Sequence, residues 1–435
     1  MSGPSPARAV AFDVVRRVTD EGAYSNLALR RALERAHLSD RDAAFATELS
    51  YGTLRRLVPI DHQLEPLLER PLSLAPKAPR AALRLGAYQV RYTRVPPHAA
   101  VSQTVSLVDR RHRGFVNAVL RRLTSEPQRE APGSSDEAVS VRTGLSAWAV
   151  RELRRVLADE DEVEVAAAAL GERGRVAVRV NACRASIEEV ELELALAGVR
   201  TERGGVHDGS LLLDSGDPAS LPGFEGGRFA VQDQASSFVV EVLDVRPEHR
   251  VLDVCAAPGG KAGHLACLAG GPGGVVAADV SPTRLALVRQ ALERLGVSAR
   301  LLVQDGRRPA VRGGFDRILV DAPCSGIGSA RRRPELLWRA RRDELSGLAR
   351  LQVGIATAAA GLLRPGGRLV YSVCTFPRAE TDAACDALLR RVPALEPEAI
   401  DGPDGAAERV RLWPHRHGCD AMFVAAFRRG GGARD

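Results

Sequence analysis

Several residue types that support particular classes of protein are scarce in this sequence of 435 residues. Aromatic residues make up only 4%, which is few for a protein that binds single strands by extensive base stacking. The 7 cysteines include no CxxC pair, and this odd, scattered set fits neither a disulfide framework nor a zinc site. We therefore expect any functional cysteine to act as a thiol.

Long hydrophobic segments are also missing. The N-terminal segment has no apolar block of about 7 to 15 residues after a basic start, so it does not resemble a secretory signal. The longest nearly uncharged apolar stretch, Leu351 to Leu363, is shorter than the roughly 20 residues that span a bilayer. The sequence thus predicts a soluble cytoplasmic protein with no membrane segment.

Lysine is nearly absent from a basic chain. Of the 61 Lys and Arg residues only Lys77 and Lys261 are lysine, which makes each a candidate for a position that needs an ammonium group. Residues 1–130 hold 21 Lys and Arg against 13 Asp and Glu, whereas residues 131–435 hold 40 against 41. The basic N-terminal third favours a polyanionic partner, with a solvated basic surface as an equally weighted alternative.

The apolar fraction of 45% and the charged fraction of 26% are those of a globular protein, and the length suggests about three domains. Apolar residues recur at helical spacing in the first part of the chain, which predicts an all-helical domain over residues 1–125. Residues 126–137, EPQREAPGSSDE, have the composition of a linker. Two further domains are expected after this linker.

The second predicted domain covers residues 138–230. A helical pattern over 147–169, a strand pattern over 176–180 and a capping box formed by Ser186 and Glu189 predict a small α/β connecting module.

The third predicted domain, residues 231–430, alternates short apolar runs with helical patterns. This alternation is typical of a parallel, doubly wound sheet, which builds its site at the carboxyl ends of the strands. A final apolar run over 421–427 is suited to an antiparallel strand. The other predicted strands are 251–254, 275–278, 301–303, 318–320 and 368–372.

The loop after the first of these strands is built for close contact with a ligand. Its small residues and paired glycines expose the backbone, and the helix that follows favours anionic groups at its N-terminus. The spacing matches neither GxGxxG nor the P-loop, so NAD and ATP fit poorly. The loop consists of Cys255, Ala256, Ala257, Pro258, Gly259, Gly260 and Lys261.

Acidic residues follow the next three strands in register. They are Asp279, Asp305 and Asp321. An aspartate in such a place is usually a helix cap or a turn residue, but three in register favour a nucleoside ligand.

Two cysteines, Cys324 and Cys374, follow two consecutive strands of the predicted sheet. A loop thiolate near a lysine or a helix N-terminus is an activated nucleophile, so we expect both to be functional. A free cysteine is more often a small buried apolar residue, and Cys255 contributes backbone to its loop. That structural role is expected for Cys183, Cys267, Cys385 and Cys419.

Taken together, the motifs DVCAAPGGK, DAPCSGIG, RRRPELLW, GLLRPGGRLVYSVCTFP and WPHRHGCDAMFVAAF resemble those of bacterial RNA cytosine-5 methyltransferases. The segments NLALRRALER, LSYGTLRR and GFVNAVLRRL resemble the NusB-like domain of the Fmu/Sun branch, whose substrate is 16S ribosomal RNA. The resemblance covers about residues 7 to 428. It implies a NusB-like RNA-binding domain, the connecting module and a Rossmann-like class I methyltransferase domain.

The resemblance also implies S-adenosylmethionine as the methyl donor. It assigns the 255–261 loop to the methionine end, Asp279 to the ribose and Asp305 to the adenine edge. Arg284 and Asp321 are further candidate contacts, although Arg284 is equally suited to an exposed helix position. The implied partner is 16S rRNA or a small-subunit assembly intermediate, bound by a monomer.

For catalysis, the resemblance makes Cys374 the nucleophile that adds to C6 of the cytosine and lets Cys324 assist proton removal or product release. DNA cytosine-5 methyltransferases use the cysteine of a Pro-Cys motif, which leaves Cys324 as the rival nucleophile. From spacing, Asp321 is expected to hold the N3 or N4 edge of the base. Lys261 is expected to lower a thiol pKa or to orient that carboxylate.

The chain departs from the family pattern in two places, because Val373 stands where Thr is usual and Thr381 follows Glu380 where an acidic residue or Asn is common. Neither change removes a reactive atom.

Arg331 to Arg333 are candidates for phosphate contacts around an extruded base, with a solvated loop as the alternative. An RNA-binding scaffold or antitermination-like factor with a vestigial enzyme domain, and a small-molecule methyltransferase, are the alternative functions.

Overall fold

The computed structural model describes residues 5–271 and 273–431. The chain divides into two compact units. We call them the helical unit, Met1–Arg173 with Ala330–Ala340, and the sheet unit, Gly174–Ser329 with Arg341–Asp435.

The N-terminal part of the helical unit contains helices and no strands among its described residues, as the apolar periodicity predicts. Its core combines Leu49, Leu83 and Leu120, which are fully buried. The helices are α1 (Pro6–Asp20), α2 (Ser25–Ala36), α3 (Asp40–Arg55), α4 (Leu57–Leu64), α5 (Lys77–Tyr92), α6 (Pro97–Val105), α7 (Arg110–Ser125), α8 (Asp136–Thr143), α9 (Ala147–Val156) and α10 (Glu160–Gly171).

One helix boundary differs from the prediction. The single helix expected over 147–169 is two helices, α9 and α10, because Asp159 caps a new N-terminus and its side chain accepts a hydrogen bond from the Asp161 N–H. Local capping chemistry and not apolar spacing sets this boundary.

Residues 330–340 are separated in sequence from the rest of the helical unit and are held there by backbone contacts. The Trp338 indole N–H donates to the Leu54 carbonyl at 3.0 Å, and Arg339 donates to the Ala23 carbonyl at 2.8 Å. Glu335 is fully buried and accepts from the Ser25 N–H at 3.2 Å. The predicted phosphate-binding arginines, 331–333, begin this segment, and their RNA contact stays a prediction.

The sheet unit begins with a four-stranded antiparallel sheet in the order β2-β3-β1-β4. Ser186 and Glu189 form the predicted capping box at the start of the helix that packs beside it. The range 138–230 is thus divided, with α8 to α10 in the helical unit and its strands and α11 in the sheet unit. The elements are β1 (Val176–Val180), α11 (Ile187–Leu196), β2 (Thr201–Arg203), β3 (Ser210–Leu213) and β4 (Phe229–Val231).

A larger eight-stranded sheet follows, with the order β10-β14-β9-β8-β5-β6-β7 and β13 paired to β14. The strands β5 to β9 are parallel and β14 runs antiparallel to β9, which confirms the Rossmann-like prediction. Its strands are β5 (Val251–Asp253), β6 (Val275–Asp279), β7 (Arg300–Val303), β8 (Phe315–Asp321), β9 (Leu363–Val373), β10 (Leu395–Glu398), β13 (Arg409–Leu412) and β14 (Met422–Arg429). The strands β11 (Ile400–Gly402) and β12 (Gly405–Ala407) form a separate two-stranded sheet.

The chain reverses its direction of winding at β5, which lies between β6 and β8. Such a switch point opens a crevice at the carboxyl ends of the strands. The helices of this part are α12 (Gln234–Val242), α13 (Gly260–Leu268), α14 (Pro282–Leu295), α15 (Leu336–Arg339, in the helical unit), α16 (Leu345–Leu362), α17 (Asp382–Arg391) and α18 (Pro414–His417).

One helical stretch of the described chain, Arg342–Leu362, is long and apolar enough to cross a membrane by length and composition. The apolar helix therefore begins before Leu351, the start that the sequence pattern predicts. Its helix α16 packs on β8, β9 and α17, and its polar side chain Gln352 is fully buried. These contacts are those of a core helix that covers a sheet, a class of helix that passes the same test.

Cys183 and Cys267 form a disulfide with a Cα–Cα distance of 5.9 Å. The expectation that both are isolated buried thiols and that the chain has no disulfide is therefore wrong. The two residues are 84 positions apart, and only the packing of α13 beside the chain after β1 brings them together. Cys385 and Cys419 are buried and lie outside the disulfide, as expected.

Candidate active site

The two candidate thiols meet above the parallel strands β8 and β9. Asp321 of β8 pairs in register with Ser372 of β9, so the loops that follow both strands leave the sheet at the same edge. The Sγ atoms of Cys324 and Cys374 lie 3.5 Å apart. At this distance one thiol can donate a hydrogen bond to the other.

Asp321 and Lys261 form an ion pair beside these thiols. The Lys261 Nζ donates to Asp321 Oδ2 at 2.8 Å, and the Ser372 hydroxyl donates to Oδ1 at 2.8 Å. Lys261 reaches the carboxylate from the start of α13, whereas Asp321 ends β8. The contact that Lys261 needs in order to orient this carboxylate, as expected from the sequence, is therefore present.

The electrostatics of the pair favour a charged lysine. Burial lowers the pKa of Lys261, but the charge and hydrogen bond of Asp321 and the charge of Cys374 outweigh it, so the pKa is raised overall. The ammonium group therefore stays protonated and faces any thiolate formed at Cys374.

Cys324 is in the opposite situation. Its hydrogen bond to Cys374, its burial and the charges of Glu380 and Asp321 raise the pKa of its thiol well above the ordinary value. The expectation that Lys261 lowers a thiol pKa is therefore not met at Cys324. This cysteine therefore favours the thiol over the thiolate form.

A buried carboxylate that the sequence did not single out holds the Cys324 loop. Glu380 is fully buried and accepts hydrogen bonds from the Ser325 N–H at 2.9 Å and the Ser325 hydroxyl at 2.5 Å. Gln352 of α16 donates to the same carboxylate at 2.9 Å, and the Tyr371 hydroxyl donates to the Glu380 carbonyl at 2.7 Å. Burial raises the pKa of Glu380.

These contacts tie the residue after Cys324 to the chain after Cys374. Ser325 and Thr375 also share a hydrogen bond of 2.7 Å between their hydroxyls. In the sequence, Glu380 is marked only by its position six residues after Cys374. This spacing does not indicate that Ser325 is its hydrogen-bond partner.

Close backbone packing further limits the Cys324 loop. The Gly328 N–H donates to the Cys374 carbonyl at 3.0 Å, and its carbonyl accepts from the Ala421 N–H at 3.0 Å. A Cβ at Gly328 would lie 2.1 Å from the Ala421 carbonyl oxygen, so only glycine fits. The loop, β14 and the Cys374 segment therefore hold one another.

The C-terminal motif supports the same region. Trp413 is buried, with its ring centroid 5.8 Å from that of Phe376, and its backbone N–H donates to His417 Nδ1 at 2.9 Å. Asp420 donates its N–H to Asp233 Oδ1 at 3.1 Å, at the N-cap of α12. Within the described residues, WPHRHGCD is thus a packing motif behind the Cys374 loop.

The 255–261 loop is ordered by Asp279 and Arg284. Asp279 accepts from the Ala257 N–H at 3.3 Å, and Arg284 donates to the Ala257 carbonyl at 2.8 Å. Gly259 adopts a φ of +114°, and a Cβ there would lie 3.0 Å from the Val288 Cα. The loop therefore needs glycine for its conformation and for its packing on α14.

Asp305 is engaged differently from the other strand-end aspartates. Arg307 pairs with it through its Nε and Nη2 groups, with a shortest distance of 2.7 Å. This hydrogen-bonded partner lowers the pKa of Asp305 to about 2. The structure shows no contact of Asp305 with the cysteine loops among the described residues.

Comparison with known proteins identifies the family. A family model described as 16S rRNA methyltransferase RsmB/F matches residues 240–428, and a NusB family model matches residues 5–125. The Mycobacterium tuberculosis protein Rv1407 is 38% identical over 98% of this chain and 96% of its own length. Ribosomal RNA small subunit methyltransferase B of Vibrio cholerae is 34% identical over 96% of either chain. The chain belongs to the RsmB/F methyltransferase family.

A solved structure shows the same fold across the whole chain of this RsmB/F methyltransferase. The crystal structure of PH0851 is 24% identical, has a TM-score of 0.83 and covers 99% of this chain and 100% of that chain. At this identity the likeness concerns the fold alone.

S-adenosylmethionine is the methyl donor of this methyltransferase, and one residue that the sequence did not single out fits it. Both carboxylate oxygens of Asp253, at the end of β5, are buried and without a hydrogen-bond partner among the described residues. Burial and the nearby Asp321 raise the pKa of Asp253 to about 7. The donor carries a sulfonium and an ammonium group, so a buried carboxylate beside the 255–261 loop complements its charge.

Proposed function

We propose that this RsmB/F methyltransferase methylates C5 of a cytidine in 16S rRNA through a covalent adduct between Cys374 and C6 of the base. The observation that carries the proposal is the pair of thiols, 3.5 Å apart, beside the Lys261–Asp321 ion pair. An enzyme that methylates an oxygen or an exocyclic nitrogen needs neither thiol.

The chemistry explains the use of two thiols. C5 of cytosine is a weak nucleophile, so the Cys374 thiolate first forms a bond to C6, and the ring electrons make C5 enamine-like. The bound donor supplies an electrophilic methyl group to C5. A base must then take the C5 proton, and the electrons of that C–H bond restore the C5–C6 double bond as the sulfur leaves.

The proposed roles of the two cysteines follow from their surroundings. The ammonium group of Lys261 favours a thiolate at Cys374, which supports Cys374 as the nucleophile. The raised pKa of Cys324 keeps it a thiol, which disfavours it as the nucleophile, and its Sγ lies 3.5 Å from that of Cys374, within reach of the departing sulfur. Asp321 is proposed to hold the N3 or N4 edge of the base. Its location at the end of β8, beside the loop that carries Cys374, supports this role.

The proposed cofactor contacts are the backbone of loop 255–261 together with Asp253 and Asp279. Asp279 keeps the predicted ribose contact, since its carboxylate also orders the loop. Arg284, Asp305 and Asp321 keep their predicted places as cofactor contacts.

The substrate assignment rests on two supports. The relative from Vibrio cholerae is named for the small-subunit ribosomal RNA, and the first 130 residues of this chain are basic. We propose that residues 1–125 bind the RNA as a NusB-like domain, that 231–430 form the methyltransferase domain, and that a cytoplasmic monomer acts on rRNA or an assembly intermediate.

The direct test is transfer of labelled methyl from S-adenosylmethionine to protein-free small-subunit rRNA, with bisulfite mapping of the product. We expect one protected cytidine, absent when Cys374→Ala is used. Cofactor binding without transfer, to rRNA or to assembled subunits, would contradict the proposal and favour the scaffold function.

Cofactor affinity should depend on pH through Asp253. Only the ionised carboxylate attracts the cationic donor, so the dissociation constant should fall about tenfold as pH rises from 6 to 8. Without cofactor, the pH dependence of stability has the opposite sign. The pKa of Asp253 is higher in the folded state than in the unfolded state, so the folded state binds its proton more tightly. The free energy of unfolding therefore falls as the pH rises from about 4 to about 7.

Calorimetry at several pH values measures this dependence. Asp253→Asn should bind weakly and lose the pH dependence near 7, whereas Asp305→Asn, whose parent carboxyl titrates at about 2, should retain it. A wild-type affinity that is flat between pH 6 and 8 would refute the role of Asp253.

A further inference from the structure

The segment predicted as a flexible linker is held in place within the helical unit. Gln63 makes two bonds to Arg129, donating to its carbonyl at 2.8 Å and accepting from its N–H at 2.9 Å. Arg142 donates to the Gly133 carbonyl at 2.9 Å, and Arg91 donates to the Glu126 carbonyl at 2.8 Å. Side chains of three helices thus fix the backbone of this segment.

The segment forms one wall of a cavity of about 740 Å³. Helices α4, α5 and α8 contribute further walls, because Gln63, Tyr92 and Arg142 also line it. Binding sites for small organic groups have volumes of about 300 to 1,000 Å³. The cavity is therefore large enough for a nucleotide.

One wall offers a flat aromatic surface. Tyr92 is partly buried, and the Arg56 guanidinium lies 5.7 Å from its ring centroid. The Tyr88 ring stacks on Tyr92 with centroids 5.7 Å apart, which fixes its orientation. Aromatic rings supported in this way stack with nucleobases of any sequence.

The charges in the wall are unbalanced. Arg142 is neutralised by Glu164, with which it forms two bonds of 2.7 and 2.6 Å. Arg56 and Arg129 also line the cavity, and neither guanidinium forms an ion pair with a described residue. Against them stands one acidic lining residue, Glu130. The cavity thus combines a stacking surface with uncompensated positive charge.

We propose that this cavity binds one nucleotide of a single-stranded RNA segment, with the base on Tyr92 and the phosphates at Arg56 and Arg129. The inference rests on the proposed function, because it takes rRNA as the bound polymer. It locates a contact in the helical unit that combines stacking with phosphate binding, which neither a protein surface nor a lipid headgroup requires.

Binding of a labelled single-stranded RNA oligonucleotide to the full-length protein tests the inference by fluorescence anisotropy at several salt concentrations. Arg56→Gln combined with Arg129→Gln should weaken binding about tenfold and reduce the magnitude of the salt slope by about 1.4, since each phosphate contact contributes about 0.7 for a single strand. Tyr92→Leu should weaken binding about tenfold, whereas Tyr92→Phe should bind like the wild type.

Arg390→Gln combined with Arg391→Gln is the matched control, since it removes the same charge from exposed positions of α17, outside residues 1–125. Steady-state methylation of rRNA provides the second readout, in which the cavity variants should raise KM about tenfold and leave kcat within twofold. Thermal unfolding confirms that each variant is folded.

Three outcomes would overturn the inference. In the first, wild type methylates rRNA while the cavity variants keep its oligonucleotide affinity and KM, which leaves the proposed function intact. In the second, the cavity variants and the α17 control lose affinity equally. In the third, free adenosine or uridine monophosphate binds as tightly as the oligonucleotide, which assigns the cavity to a free nucleotide. Failure of methylation by the wild type refutes the proposed function instead, and the oligonucleotide assay still decides the cavity.

Discussion

Replacing Cys374 by alanine is expected to abolish methyl transfer, with a loss of at least about 10⁴-fold in kcat, the scale seen when a covalent nucleophile is removed. Without the thiolate, C5 of the base is not activated. A 5-fluorocytidine RNA measures this directly, because fluorine at C5 prevents proton removal and traps the adduct. The Cys374→Ala protein should form no trapped complex in denaturing electrophoresis.

Cys324→Ala is the matched variant, since the two sulfur atoms are neighbours in the same site. It should still form the adduct and should release product slowly, because the thiol within reach of the departing sulfur is missing. Trapping by Cys374→Ala but not by Cys324→Ala would reverse the assignment and make Cys324 the nucleophile.

Replacing Glu380 by alanine is expected to have the second largest effect. The change leaves the Ser325 N–H and hydroxyl and the Gln352 amide without their buried acceptor, and each unsatisfied donor costs about 1 to 3 kcal/mol. The Cys324 loop should shift relative to Cys374, and a displacement of about 1 Å costs about 10²-fold in rate. Single-turnover kinetics should show slow adduct decay with a smaller effect on cofactor affinity.

Glu380→Gln is the control for charge, because an amide oxygen can accept from the Ser325 N–H while its NH₂ group donates to the Ser325 hydroxyl. It should recover most of the rate. If Glu380→Ala is folded and keeps wild-type adduct decay, Glu380 has no positioning role. If Gln is as slow as Ala, the negative charge itself is required.

Much of the fold could be predicted from apolar spacing. The strands β5 to β9 and β14 match short apolar runs, and the helical region before residue 126 matches a helical period. These patterns are local, since burial of one face imposes them on neighbouring residues. The boundary between α9 and α10 was missed because a side-chain cap at Asp159 overrides a continuous pattern.

The site could be predicted only in part. Position at a strand end identified Cys324, Cys374 and Asp321 as neighbours, because parallel strands deliver their carboxyl ends to one edge. The buried roles of Asp253 and Glu380 were not visible, since each depends on what surrounds the carboxylate. The sequence letter of an acidic residue is the same whether its carboxylate is unpaired or accepts three hydrogen bonds.

The sequence by itself thus determined the order of helices and strands, the edge of the sheet where chemistry is placed and the family to which the chain belongs. Only the tertiary structure decided the Cys183–Cys267 disulfide, the place of residues 330–340 in the helical unit and the cavity beside residues 126–137, which the sequence predicts as a linker. The physical reason is range: periodicity and capping act between residues a few positions apart, whereas these contacts join segments whose meeting depends on the packing of the whole core.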